Sequence, residues 1–92
     1  VKVAIQTDQM SAVRYLRLDA AIAVNEGMRE DDAIRAITLT PAEILGIADR
    51  VGSIEVGKDA DLVILSAHPL DIAHGRIQNV FIGGKRVFRR TP

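Results

Sequence analysis

The chain has 92 residues, near the lower end of what one compact domain requires, so it has material for a single modest core and not for two. Hydrophobic residues make up 48% and charged residues 26%, a globular balance that argues against disorder, and no apolar run approaches the roughly 18–20 residues of a membrane span. With 12 Lys plus Arg against 12 Asp plus Glu the formal charge is zero, which removes the broad electrostatic ground for expecting nucleic acid or an anionic membrane as partner.

There is no cysteine. Disulfide frameworks, thiolate metal sites and cysteine nucleophiles are therefore excluded, and the composition suits a reducing cytoplasm. Any chemistry must come from oxygen and imidazole. The sequence opens at Val1 with no basic segment, apolar stretch or small-residue cleavage site of an export signal. The missing initiating Met is read as a sign of a longer parent chain.

Val1 to Thr7 is β-branched and mostly apolar, which predicts a strand buried on both faces, running directly into Asp8. Val13, Leu16, Ala20, Ala23 and Val24 recur at helical steps and Gly27 follows, predicting a helix over Ser11 to Glu26. Glu30, Asp31 and Asp32 place negative charge at the start of a second helix, with Ala33, Ile34 and Ile37 on one face. Thr40-Pro41-Ala42-Glu43 reads as a capping box opening a third helix that stops at Gly46.

Beyond Gly46 the composition changes. Gly52, Gly57 and the run Gly57-Lys58-Asp59-Ala60-Asp61 read as turns before a strand at Leu62 to Leu65. Arg76 to Ile82 and Lys85 to Arg89 flank Gly83-Gly84, a pair able to take the positive φ angles of a two-residue hairpin turn. The implied register pairs Val80 with Val87 and Phe81 with Arg86, placing Val80, Ile82 and Val87 on one face and Phe81 and Phe88 on the other.

Spacing offers one candidate for chemistry, Asp8, an acid at the C-terminal end of a strand and just before a helix. Reacting groups gather at that end of barrels and open α/β sheets. From local pattern alone, a plain N-terminal cap for the following helix is the preferred account of an aspartate there.

A longer set of residues carries a resemblance: Val3 to Asp8, Glu26-Gly27-Met28, Ala33 to Thr38, Pro41 to Gly46, Arg50 to Ile54, Val56 to Val63 and Val80 to Lys85. In this order they resemble the C-terminal part of metal-dependent amidohydrolases of the imidazolonepropionase-like group, with Thr38 to Val63 the most specific stretch. The resemblance implies an α/β fold, the C-terminal fragment of a (β/α)₈ barrel followed by the C-terminal strands of a small β-sandwich. Residues 1–46 would be the end of the barrel, with its last strand and helices, and 47–92 the end of the sandwich.

The implied function is hydrolysis of an amide or cyclic amide C–N bond by a metal-activated water. Asp8 matches the family's strand-eight aspartate, a metal ligand that takes a proton from the attacking water and passes it to the leaving nitrogen. The implied cofactor is a divalent metal, zinc above others, and the implied partners are a small-molecule amide and the N-terminal barrel segment; a homo-oligomer is compatible. Gln9-Met10 departs from the His-Pro of several relatives, which points to a different substrate pocket.

A barrel of this kind needs roughly 250 residues. No His-x-His pair or other matched histidine is present, and one aspartate cannot hold a catalytic zinc that typically takes three protein ligands. The isolated chain is therefore expected to bind no catalytic metal tightly and to be inactive. His68 and His74, six residues apart around Pro69, fit no ligand spacing and are read as loop packing. The Gly57 to Asp61 run lacks the order of a phosphate loop or a calcium loop and is read as turn chemistry. Arg86, Arg89 and Arg90 are read as a solvated edge that discourages strand-to-strand association. The competing reading is a free-standing, non-catalytic binding module derived from such a tail; a buried first strand without parallel neighbours weighs against it.

Overall fold

Two glycines stop helices in the same way and so set the length of the helical half. A computed structural model describes residues 2–7 and 15–91, with helices α1 (Leu16–Asn25), α2 (Glu30–Ala36) and α3 (Leu39–Ile44). After α1, Gly27 takes φ 118°, its N–H donates to Val24 O (3.0 Å) and the Met28 N–H to Ala23 O (3.0 Å). After α3, Gly46 takes φ 75°, donating to Glu43 O (3.1 Å) while the Ile47 N–H reaches Ala42 O (2.8 Å). Both are the paired closing bonds of a left-handed residue just past the helix end. Residues 11–14 of the first expected helix lie outside the described residues.

The third helix begins earlier than expected, and the capping box does not form. Thr38 is the cap residue, without a side-chain capping bond; its Oγ1 donates back to Ile34 O at 2.7 Å. Thr40 lies within the helix and is buried. Only Ile37 and Thr38 separate α2 from α3, so the chain must turn at once and Thr40 is drawn into the contact. Pro41 still falls in the first turn, where a missing N–H leaves no intrahelical bond unmade.

The helices meet on alanine. Ala20, Ala33, Ala36 and Ala42 form the buried hydrophobic set, and among the described residues no large side chain is fully buried. α1 packs on α2 and α2 on α3.

The expected first strand has no pairing partner among the described residues. Residues 2–7 carry no strand pairing, and Lys2, Val3, Ala4 and Gln6 are exposed. The segment lies instead along the helices, with the Ile5 N–H donating to Ala36 O (3.0 Å) and Lys2 Nζ 3.6 Å from Glu43. A parallel strand needs hydrogen-bonding neighbours, and none of the described strands pairs with it.

The second half is a three-stranded antiparallel sheet, β1 (Leu62–Leu65), β2 (Ile77–Ile82) and β3 (Lys85–Arg89), in that order. Gly83 and Gly84 turn the β2–β3 hairpin with φ 58° and 81°, as a primed turn requires. Phe81 faces Arg86 as expected, but the register shifts between Val80 and Phe81, so Val80 faces Phe88 and not Val87. The bulge leaves Val87 as the extra residue and moves Phe88 to the face of Val80. Rows Leu62–Phe81–Arg86 and Val63–Val80–Phe88 then run across opposite faces.

Neither face of the sheet is covered by a helix among the described elements. Val63, Ile64, Ile82, Val87 and Phe88 are exposed, as are Ile44, Leu45, Ile54 and Val56. The chain exposes 6954 Å², whereas a folded monomer of this size exposes about 5,200 Å². Its radius of gyration is 13.6 Å, against about 12.3 Å for a compact domain of this length. Large apolar side chains therefore form part of the exposed surface of both halves.

Candidate functional site

Asp8, the residue on which the sequence-based chemistry rests, lies outside the described residues, as do Gln9 and Met10. The described chain resumes at Tyr15, one residue before α1. The segment leading to Asp8 is anchored at Ile5 on the last residue of α2.

A cleft of about 560 Å³ opens beside Lys2, Val3, Arg29, Arg35, Thr40 and Glu43. It lies beside the beginning of the 2–7 segment.

The two histidines are engaged in loop packing. His68 Nδ1 accepts the Leu70 N–H at 3.1 Å, which puts the ring proton on Nε2, 2.9 Å from Glu30 Oε1. His74 turns its Nδ1 to Asp71, 3.1 Å from both carboxylate oxygens. Among the described residues no group of three or more His, Cys, Asp or Glu side chains could hold a metal ion. The described donors therefore do not fit a catalytic metal by themselves, and Asp8 would add one ligand where three are usual.

The Gly57 to Asp61 run is structural. Asp61 Oδ1 accepts the Gly83 N–H (2.8 Å) and Ala60 O the Gly84 N–H (3.0 Å), so this run caps the hairpin turn. Asp59 bonds Arg50 twice, side chain to Nη2 (2.9 Å) and N–H to carbonyl (2.8 Å). Neither carboxylate is left over for a cation site.

Sequence reasoning missed the cluster just before it. Lys58 Nζ donates to Ser53 Oγ at 2.6 Å and lies 3.0 Å from Glu55, while Ser53 Oγ donates to Glu55. The Lys58 side chain is only 11% exposed, which shows that the three close one turn. The spacing Ser-x-Glu-x-x-Lys was the available signal. The Ser53 hydroxyl first, then Lys58, hold the Glu55 carboxyl below its ordinary value of 4.5. A depressed folded-state value stabilises the turn above the unfolded value, and that contribution is lost as pH falls through the lowered one. Acid loosening of the turn should therefore set in as pH falls through the ordinary glutamate range and be complete only below the lowered value. Ser53→Ala should move the Glu55 titration, followed by carboxyl NMR, back toward 4.5; an unmoved midpoint would show that the hydroxyl is not its cause.

Comparison with known proteins bears on the whole chain. Residues 1–87 match the Amidohydrolase family. An amidohydrolase of Thermotoga maritima MSB8, known as a crystal structure, superposes with a TM-score of 0.91 at 43% identity, covering 98% of this chain and 24% of that one. An imidazolonepropionase of Thermoplasma acidophilum is 49% identical over 47 residues, 51% of this chain and 12% of the relative. An N-substituted formamide deformylase of Arthrobacter pascens is 32% identical over 86 residues, 88% of this chain and 16% of the relative. The chain thus spans less than a quarter of the relatives it matches.

Proposed function

The chain belongs to the amidohydrolase family, and from that premise we propose that it forms the C-terminal part of a metal-dependent enzyme hydrolysing a C–N bond in a small amide or cyclic amide. The observation that carries this reading is the 43% identity and 0.91 TM-score over 98% of the chain against 24% of an amidohydrolase. The large apolar side chains exposed on the sheet and after α3 support it independently, since they are what one part of a larger core would present.

On this reading residues 1–46 close a (β/α)₈ barrel and 47–92 contribute to a small β-sandwich, and residues 2–7 gain their strand pairing from neighbours elsewhere in the enzyme. The chain supplies Asp8 to the reaction centre. A divalent metal, zinc in the first place, would polarise the amide carbonyl and acidify water when bound. Asp8 is its one ligand from this chain, the others coming from elsewhere in the enzyme. Its carboxylate would accept the proton of the attacking water and return it to the departing nitrogen, which leaves as a neutral amine.

The test is hydrolysis by the full-length protein of a panel of N-formyl, N-acyl and cyclic amides. Turnover of at least one, lost with a chelator and restored by divalent zinc, is the expected result, with no rate from the 92-residue chain alone. Absence of hydrolysis across the panel by folded, zinc-supplied protein would overturn the proposal, as would a chelator-sensitive rate from the short chain.

A further inference from the structure

Between β1 and β2, residues 66–76 fold back into a ring of backbone oxygens. The Asp71 N–H donates to His68 O (2.9 Å), and the N–H groups of His74 and Gly75 both donate to Asp71 O (3.3 and 2.7 Å). Ser66 closes the ring: its Oγ donates to His74 O (2.5 Å) and accepts the Arg76 N–H (3.0 Å). Arg17 enters this ring from the first turn of α1. Its Nη1 donates to Pro69 O (3.0 Å) and to Gly75 O (2.8 Å), and the contact is partly buried.

Gly75 is buried and has no room for a side chain. A Cβ there would stand 2.7 Å from His68 O, 2.8 Å from Asp71 O and 3.2 Å from Arg17 Nη1. The glycine is thus required by close approach of carbonyls and a guanidinium. Converging carbonyl oxygens concentrate partial negative charge, and a planar, weakly hydrated guanidinium meets that charge at little desolvation cost.

We propose that residues 66–76 are a guanidinium socket and that Arg17 is its plug, a lock that holds the helical half of the chain against the sheet half. The described helices and strands make no close backbone contact with one another, so loops join the halves: the connection after α3, which meets α3 at Gly52 and the hairpin turn at Ala60 and Asp61, and this one. Its second tie, His68 to Glu30, joins side chains that are 47% and 62% exposed and is correspondingly weak. The Arg17 contact makes two charge-assisted bonds out of full solvent and dominates. Withdrawing the plug frees the loop and the α1 junction while leaving the strand ladders paired.

Hydrogen exchange of the full-length protein tests this without reference to catalysis. In Arg17→Gln the amides of Asp71, His74 and Gly75 should exchange on the order of tenfold faster, as loss of such bonds implies, with amides of β2 unchanged. Sub-denaturing guanidinium should restore their protection in the variant and leave the wild type unaffected. Unchanged exchange in the loop, acceleration spread evenly over the sheet, or failure of guanidinium to rescue would each overturn the lock. If Arg17→Gln does not fold, Arg17→Lys carries the same measurement, because it keeps the charge and loses the guanidinium.

Discussion

Replacing Asp8 by Asn in the full-length enzyme is expected to lower kcat by about 10²- to 10⁴-fold, the usual contribution of a positioned proton-transfer group. The amide is nearly the same size, so packing around residue 8 is preserved. It carries no charge and cannot take up the proton of an attacking water, so the loss should fall on kcat and not on the thermal midpoint. Bound zinc should also fall, since an amide oxygen is the poorer ligand for a divalent cation. Near-wild-type turnover with an unchanged metal content would remove Asp8 from the mechanism and leave its helix-capping alternative standing.

Gly52→Ala should be the most damaging of the conservative substitutions available in the connection between the two halves. Gly52 takes φ 100°, and an added Cβ would lie 2.8 Å from the Ala42 Cβ, 3.1 Å from the Leu39 Cα and 3.2 Å from Thr38 O. Two of those three neighbours are backbone, so the strain cannot be relieved by a rotamer change. Unfavourable φ and overpacking together should destabilise by about 3 kcal/mol or more, read as a fall of several degrees in thermal midpoint. Gly27→Ala provides the control: φ is 118°, yet nothing lies within 4 Å of the added Cβ. Its loss should be confined to the backbone share, and equal losses at the two positions would refute the contact argument.

Elements governed by local rules were legible in the sequence. Gly27 and Gly46 end helices because a left-handed residue is needed there, and Gly83-Gly84 turn the hairpin for the same reason. The acidic opening of α2 and the strand at Leu62 to Leu65 followed in the same way. What failed was decided by distant partners. Thr40 looked like a cap, but the short α2–α3 connection buried it. The Val80–Val87 pairing was displaced by a bulge that no alternation pattern announces. The Val1 to Thr7 strand was inferred from its composition, and composition does not say where its neighbours come from. The Arg17 socket joins residues 52 and 58 positions apart, beyond any local signal. The place of Asp8 after an apolar stretch favours a helix cap by itself, and only the family resemblance turns the reading toward chemistry.

The alanine interior makes this stretch of chain unusual in how it can drift. Where cores are built of leucine and phenylalanine, variants fail mainly by trimming, because vacated volume goes unfilled. Positions 20, 33, 36 and 42 hold the smallest side chain that has a Cβ, so there is little to trim and variants there fail by growth. Tolerance at these sites should track the bulk of the incoming residue more than its hydropathy, with serine accepted where valine is refused.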